Sequence, residues 1–202
     1  MRIRELSRAL AGGLILSAAM LLAGCVSSRK AATYILYPET APSGQFKAMV
    51  RVFSVKVPEY LDGKSMMVRT GKHAIGSLAD HQWMQNFRTM LQAALATELL
   101  GRSSMENNAP QFILAVEVRR FELDSSNRLH LLAECQLSRK NSNPAAPDAQ
   151  LFSFSSAYQW DGYDVEALVG LYDKAIADMA ESIMGKAVAY GTSSNEQAVK
   201  SK

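Results

Sequence analysis

The chain is short of the residues that staple, ligate or react: its 202 positions hold two cysteines and three histidines. Two cysteines cannot build a multi-bridge disulfide framework. His73, His81 and His130 stand at no metal-ligand spacing from one another, a cysteine or a carboxylate, so no metal site and no cofactor is expected. There is no Gly-x-Ser-x-Gly elbow, no phosphate-cradling glycine loop and no Ser-x-x-Lys motif. A repeat of 20 to 50 residues is also lacking, which excludes a solenoid or propeller. Neither charge dominates: 22 basic residues face 19 acidic ones, too even a balance for a nucleic-acid binder. Together these absences predict a protein that is not an enzyme.

What the chain does have begins at its N-terminus. Arg2, Arg4 and Arg8 precede an uncharged apolar run from Ala9 to Gly24 that closes on Leu22-Ala23-Gly24-Cys25. That is a positive n-region, an apolar h-region and a small-residue cleavage site. The run falls short of the roughly 20 apolar residues a spanning helix wants, and Gly12 and Gly13 interrupt it. Residues 1–24 are therefore read as a signal peptide. Leu-Ala-Gly-Cys resembles the lipobox of bacterial lipoproteins, which implies diacylglycerol on the Cys25 thiol, cleavage before it and acylation, typically palmitate, of the new amine. Several acyl chains anchor a protein stably where a single one does not. Val26 stands where inner-membrane retention typically needs Asp, so the resemblance implies a lipid anchor in the outer membrane, on its periplasmic face.

Removing residues 1–24 leaves 178, enough for one domain with a real core. Residues 25–32 read as the lipidated cysteine and a polar, basic tether, residues 33–190 as a periplasmic domain, and residues 191–202, rich in Ser, Asn, Gln and Lys, as a disordered tail. Within the domain, Thr33 to Tyr37 and Phe46 to Val57 read as strands, and the Asp62-Gly63 turn suggests that residues 46–70 form a hairpin. Ser77-Leu78-Ala79-Asp80 has capping-box spacing. After it, Trp83, Met84, Phe87, Met90, Leu91, Ala94, Leu95 and Leu99 share a helical face, with Trp83 a core residue. Gln111 to Leu123, Arg128 to Arg139 and Phe152 to Trp160 alternate as strands. A polar loop joins the last two. Asp164 caps a closing helix that buries Val165, Leu168, Tyr172, Ile176, Met179 and Ile183. The order predicts an α+β fold: a single-domain sandwich with a mainly antiparallel sheet and two amphipathic helices packed on one face. Cys135 falls in the buried register of its strand and reads as a small hydrophobe rather than a reactive thiol. Asp161, Asp164 and Glu166 read as carboxylates complementing a helix start.

Two stretches carry a further likeness. Val55-Lys56-Val57-Pro58-Glu59-Tyr60-Leu61-Asp62 is followed by Met66-Met67-Val68-Arg69, and His81-Gln82-Trp83 heads the helical stripe. With the lipobox and the closing helix in the same order, the chain resembles the ABC-type transport auxiliary lipoproteins, the PqiC-like family. Gly63-Lys64 replaces the Arg-Pro often found there, and Met84-Gln85-Asn86 replaces Ala-Glu-Pro. The resemblance implies an accessory subunit of a lipid transport system that supports membrane integrity. It would dock on an MCE-domain periplasmic protein through Tyr60, Leu61, Asp62 and Arg69. Homo-oligomerisation stays open, and the competing readings are a lipid carrier and a cell-envelope hydrolase.

The mature chain is expected to begin at an acylated Cys25. Metabolic labelling with palmitate and intact mass spectrometry should find the acyl mass on the natural protein and lose it on Cys25→Ala.

Overall fold

The most regular alternation in the sequence becomes the inner strand on which the sheet is assembled. In the computed structural model, residues 30–38, 44–104, 106, 109–140 and 149–200 are described. The signal segment, Cys25 and most of the tether lie outside them, as does the loop at 141–148. Seven strands form one open, mixed sheet: β1 (Ala32–Tyr34), β2 (Met49–Lys56), β3 (Ser65–Gly71), β4 (Ala74–Trp83), β5 (Gln111–Leu123), β6 (Arg128–Arg139) and β7 (Gln150–Gln159). Two helices, α1 (Phe87–Arg102) and α2 (Val165–Lys200), complete an α+β domain. The strand order is β1-β4-β3-β5-β6-β7, with β2 also paired to β5.

The antiparallel ladders β5–β6 and β6–β7 put Leu129, Leu131, Ala133, Cys135 and Leu137 on the core face, all buried. On β5 the register shifts between Val118 and Arg120. Before that bulge the even positions Phe112, Leu114, Val116 and Val118 are buried; after it, the odd positions Phe121 and Leu123 take the core face. One extra residue reverses the side-chain phase, and it turns Glu122 away from the face that Phe121 occupies.

Three parallel pairings, β1–β4, β2–β5 and β3–β5, accompany the antiparallel ones. The segment at 46–70 is therefore not a hairpin. β2 runs parallel to β5 (Val50↔Phe112), and a short 3-10 turn at Glu59–Leu61 carries the chain onward. β3 then makes its hairpin with β4 (Val68↔Gly76). The Asp62-Gly63 pair serves a different purpose: the Gly63 carbonyl accepts the Phe87 N–H at 2.9 Å, and the Lys64 carbonyl accepts that of Trp83 at 2.7 Å.

Residues 77–80 do not cap a helix either; they lie inside β4, which pairs with β3 on one side and β1 on the other. α1 starts seven residues later, at Phe87, with no side-chain cap from Asn86. Its 16 residues make it about 24 Å long. Trp83 thus ends a strand rather than heading a helix, yet it is buried. Its ring meets Tyr172 edge-on at 5.1 Å and Phe87 at 5.4 Å, and Tyr172 in turn stacks on Phe121 at 4.7 Å.

Asp164 does cap α2, its Oδ1 accepting the Glu166 N–H at 2.9 Å. The preceding turn needs Gly162, which sits at φ +88° with Asn127 where a Cβ would stand. α2 continues past residue 190, through the segment whose composition reads as a disordered tail. Gly191 is buried there because the helix passes Pro110 closely, and an added Cβ would come within 3.2 Å of the proline ring. Local polarity gave no sign of that contact.

Trp83→Ala should cost about 3–5 kcal/mol, since it opens a cavity among rings that cannot collapse into it. Urea unfolding of the variant against the natural domain measures the loss.

Candidate partner-binding site

The turn singled out in the sequence is fastened to the sheet by a buried acid. Pro58 fixes an extended entry into Glu59–Leu61, and Leu61 inserts into the core with 3% of its surface exposed. With Leu61 as the peg, Tyr60 and Asp62 project on either side. Leu61 is therefore a support for the turn and offers no contact surface.

Tyr60 reaches β5, where its hydroxyl donates to Glu122 Oε2 at 2.7 Å. Arg69 on β3 donates to Glu122 Oε1 through Nε at 3.0 Å, with a second guanidinium nitrogen also at 3.0 Å. Arg120, two residues back on β5, donates to the same oxygen at 2.9 Å. Glu122 itself has no exposed surface. A carboxylate taken out of water has to be matched by opposite charge and hydrogen bonds, and here two guanidinium groups and one phenol supply them. The arginines keep about 30% of their side-chain surface, so they cover the acid and still face solvent.

Asp62 pairs with a different arginine, Arg88 in the first turn of α1, at 3.0 Å. Arg69 does not reach across to Asp62, as a simple hairpin would have allowed. Through its adjacent residues the turn thus joins two ionic groups into one rim: Tyr60, Arg69 and Arg120 around Glu122, and Asp62 with Arg88. Glu122, Arg120 and Arg88 were not identified from the sequence. The only available signal was the change of apolar phase on β5, which leaves Glu122 between two core residues.

Burial, and then the neighbouring Glu122 carboxylate, push the Tyr60 hydroxyl up to about 12. It remains a protonated donor at neutral pH. Two arginines against one buried acid leave the rim with cationic, planar donors suited to carboxylates or other anionic groups. Among the described residues no three His, Cys, Asp or Glu side chains gather to hold a metal. His130 and Asp124 meet at 2.7 Å, but Asp124 also accepts the Ser126 and Arg128 N–H groups, so this acid shapes the β5–β6 turn. Cys135 is buried, and its burial pushes the thiol up to about 12.

The model of a family described as ABC-type transport auxiliary lipoprotein component matches residues 34–184. A crystal structure of an uncharacterized protein superposes with a TM-score of 0.60 at 17% identity, covering 78% of this chain and 99% of that one. A protein from Xanthomonas campestris gives 0.61 at 16% identity, covering 82% and 99%. At these identities the two share the fold. No curated protein matches the sequence.

Arg69→Met combined with Arg120→Met should cost about 3–5 kcal/mol in urea unfolding, because Glu122 would stay buried with only Tyr60 to hold it. Either single substitution should cost less than the pair. Alkaline behaviour gives a second check. Because the folded state raises the Tyr60 pKa, the stability it contributes is complete below pH about 10 and is lost as pH rises through about 12. Tyr60→Phe should flatten the stability–pH curve in that window, and tyrosinate absorbance should show one fewer late-titrating phenol.

Proposed function

On the premise that this chain belongs to the ABC-type transport auxiliary lipoprotein family, we propose that it is the envelope-anchored docking subunit of a lipid transport system. The family is one of transport auxiliaries and not of enzymes. In this reading Cys25 carries the lipid, and Val26 in the following position favours the periplasmic face of the outer membrane. The domain then holds the MCE-domain protein that crosses the periplasm from an inner-membrane ABC transporter.

The observation that carries the reading is the rim built on Glu122. Tyr60, Asp62, Arg69, Arg88 and Arg120 come from the 3-10 turn, the residue that follows it, β3, α1 and β5, and their mutual bonds hold them in place before any partner arrives. Preformed tyrosine and arginine side chains are the residue types enriched where proteins meet, and pre-ordering them lowers the entropy cost of binding. Confinement to a membrane surface raises the effective concentration for a partner in the same envelope. A carrier would need an apolar chamber between helices and sheet, whereas that space is filled by Trp83, Phe87, Phe121 and Tyr172, all buried.

A photo-crosslinking residue at exposed Lys64, beside Asp62, tests this in intact cells. The expected product is an adduct with an MCE-domain protein that is absent when the same group is placed at exposed Leu151, on the far edge strand β7. Equal capture from both positions, or none from Lys64, would remove the rim from the interface.

A further inference from the structure

The water-facing side of α1 lacks the charges such a surface ordinarily carries. Three charged residues occur in the helix. Glu98 and Arg102 are buried and paired with each other, and Arg88, in the first turn, is tied to Asp62. The other exposed positions are Thr89, Gln92, Ala93, Thr97 and Leu100. Thr97 donates its hydroxyl to the Ala93 carbonyl at 3.0 Å, so its hydrogen is already satisfied within the helix. Positions 93, 97 and 100 fall on one side of the helix, and together they offer methyl groups and a leucine.

Beside this stripe the chain leaving β1 adds larger apolar groups. Ile35 is 50% exposed, Tyr37 78% and Met84 53%. Ile35 and Met84 are neighbours, since Tyr34 pairs with Trp83 and the Met84 N–H donates to the Tyr34 carbonyl at 2.8 Å. The Tyr37 N–H donates to the Asp173 carboxylate at 3.1 Å, which pins this segment to α2 with its ring outward. Ile35, Tyr37, Met90 and Ala93 line a groove of about 340 Å³ between the segment and α1.

The covalent chain indicates what covers this edge. Ala32, the first residue of β1, lies seven positions after Cys25, and Ile35 lies ten. At roughly 3.3–3.6 Å per extended residue, these positions stay within about 25 Å and 35 Å of the anchored cysteine. Other exposed apolar side chains, Phe53 and Leu151 among them, lie on β2 and β7, strands that do not neighbour β1. Arg29 and Lys30 stand between Cys25 and β1, and basic residues beside an anchor favour anionic headgroups. Tyrosine is enriched where a bilayer meets water, because its ring is apolar and its hydroxyl is wet.

We propose that the Ile35, Tyr37 and Met84 edge, with the uncharged side of α1, rests on the surface of the bilayer that holds the anchor, Tyr37 sitting at headgroup depth. The inference rests on the Cys25 anchor of the preceding section. It adds that the domain has a fixed orientation and does not swing on its tether.

The test uses the full lipidated chain in vesicles of phosphatidylethanolamine and phosphatidylglycerol, with Tyr37→Cys labelled by an environment-sensitive fluorophore and Leu151→Cys as reference. Cys135 is buried and Cys25 acylated, so the new thiol takes the label. Probe 37 is expected to emit to the blue of probe 151 and to be quenched several-fold more strongly by headgroup spin-labelled lipid. Adding Ile35→Glu and Met84→Glu, both at exposed positions, should return probe 37 to water-like emission while flotation with the vesicles is unchanged. Water-like emission at both positions in floating protein overturns the contact and leaves the anchor standing. A chain that lacks the acyl mass and does not float overturns both. Shielding of probe 37 that arises without vesicles as protein concentration rises, or only when a partner protein is added, assigns the face to a second copy or to that partner and also overturns the proposal.

Discussion

A carboxylate with no exposed surface sets the terms for one whole end of this domain. Glu122 can be buried only if charge and donors come to it, and they come from three separate pieces of chain: the 3-10 turn, β3 and β5 itself. Along the backbone, β3 meets β5 through the single bridge Val68↔Leu123, so the ionic cluster takes over where the ladder is nearly absent. A buried ion pair of this kind is weak as a source of stability and strong as a specification, because a wrong packing would leave the acid unmatched.

The core beneath is organised around rings. Trp83, Phe87, Phe121 and Tyr172 come from β4, α1, β5 and α2, and their centroids lie 4.7 to 5.8 Å apart. Phe121 and Glu122 are adjacent on β5, so the same short stretch contributes to the ring cluster on one face and to the acid-centred cluster on the other. The bulge between Val118 and Arg120 makes that division possible. The rim bearing Tyr60 and Arg69 is consequently rigid because two unlike clusters share one strand.

Legibility from sequence followed the range of the interactions involved. β5 and β6 were readable at the residue level because their pattern repeats every two residues and they pair with each other across a short turn. The start of α2 was readable from Asp164 because a cap acts locally. The hairpin expected at 46–70 and the capping box expected at 77–80 failed for one shared reason. Both stretches carry a sound local signal, yet β2 finds its ladder about sixty residues away on β5, and β4 is held between β1 and β3. Tyr60, Asp62 and Arg69 were singled out through resemblance, which gave their place but none of their bonds.

By itself the sequence determined the α+β class, the buried register of Cys135 and the membership of a lipoprotein family, since alternation, spacing and motif order are properties of the chain alone. Only the tertiary structure decided that Glu122 lies at the centre of the rim, that Arg88 and not Arg69 holds Asp62, and that α2 runs on past residue 190. Those outcomes depend on which side chains meet once distant segments are packed. A charge is buried or exposed, and a glycine is needed or not, according to neighbours that local pattern does not name.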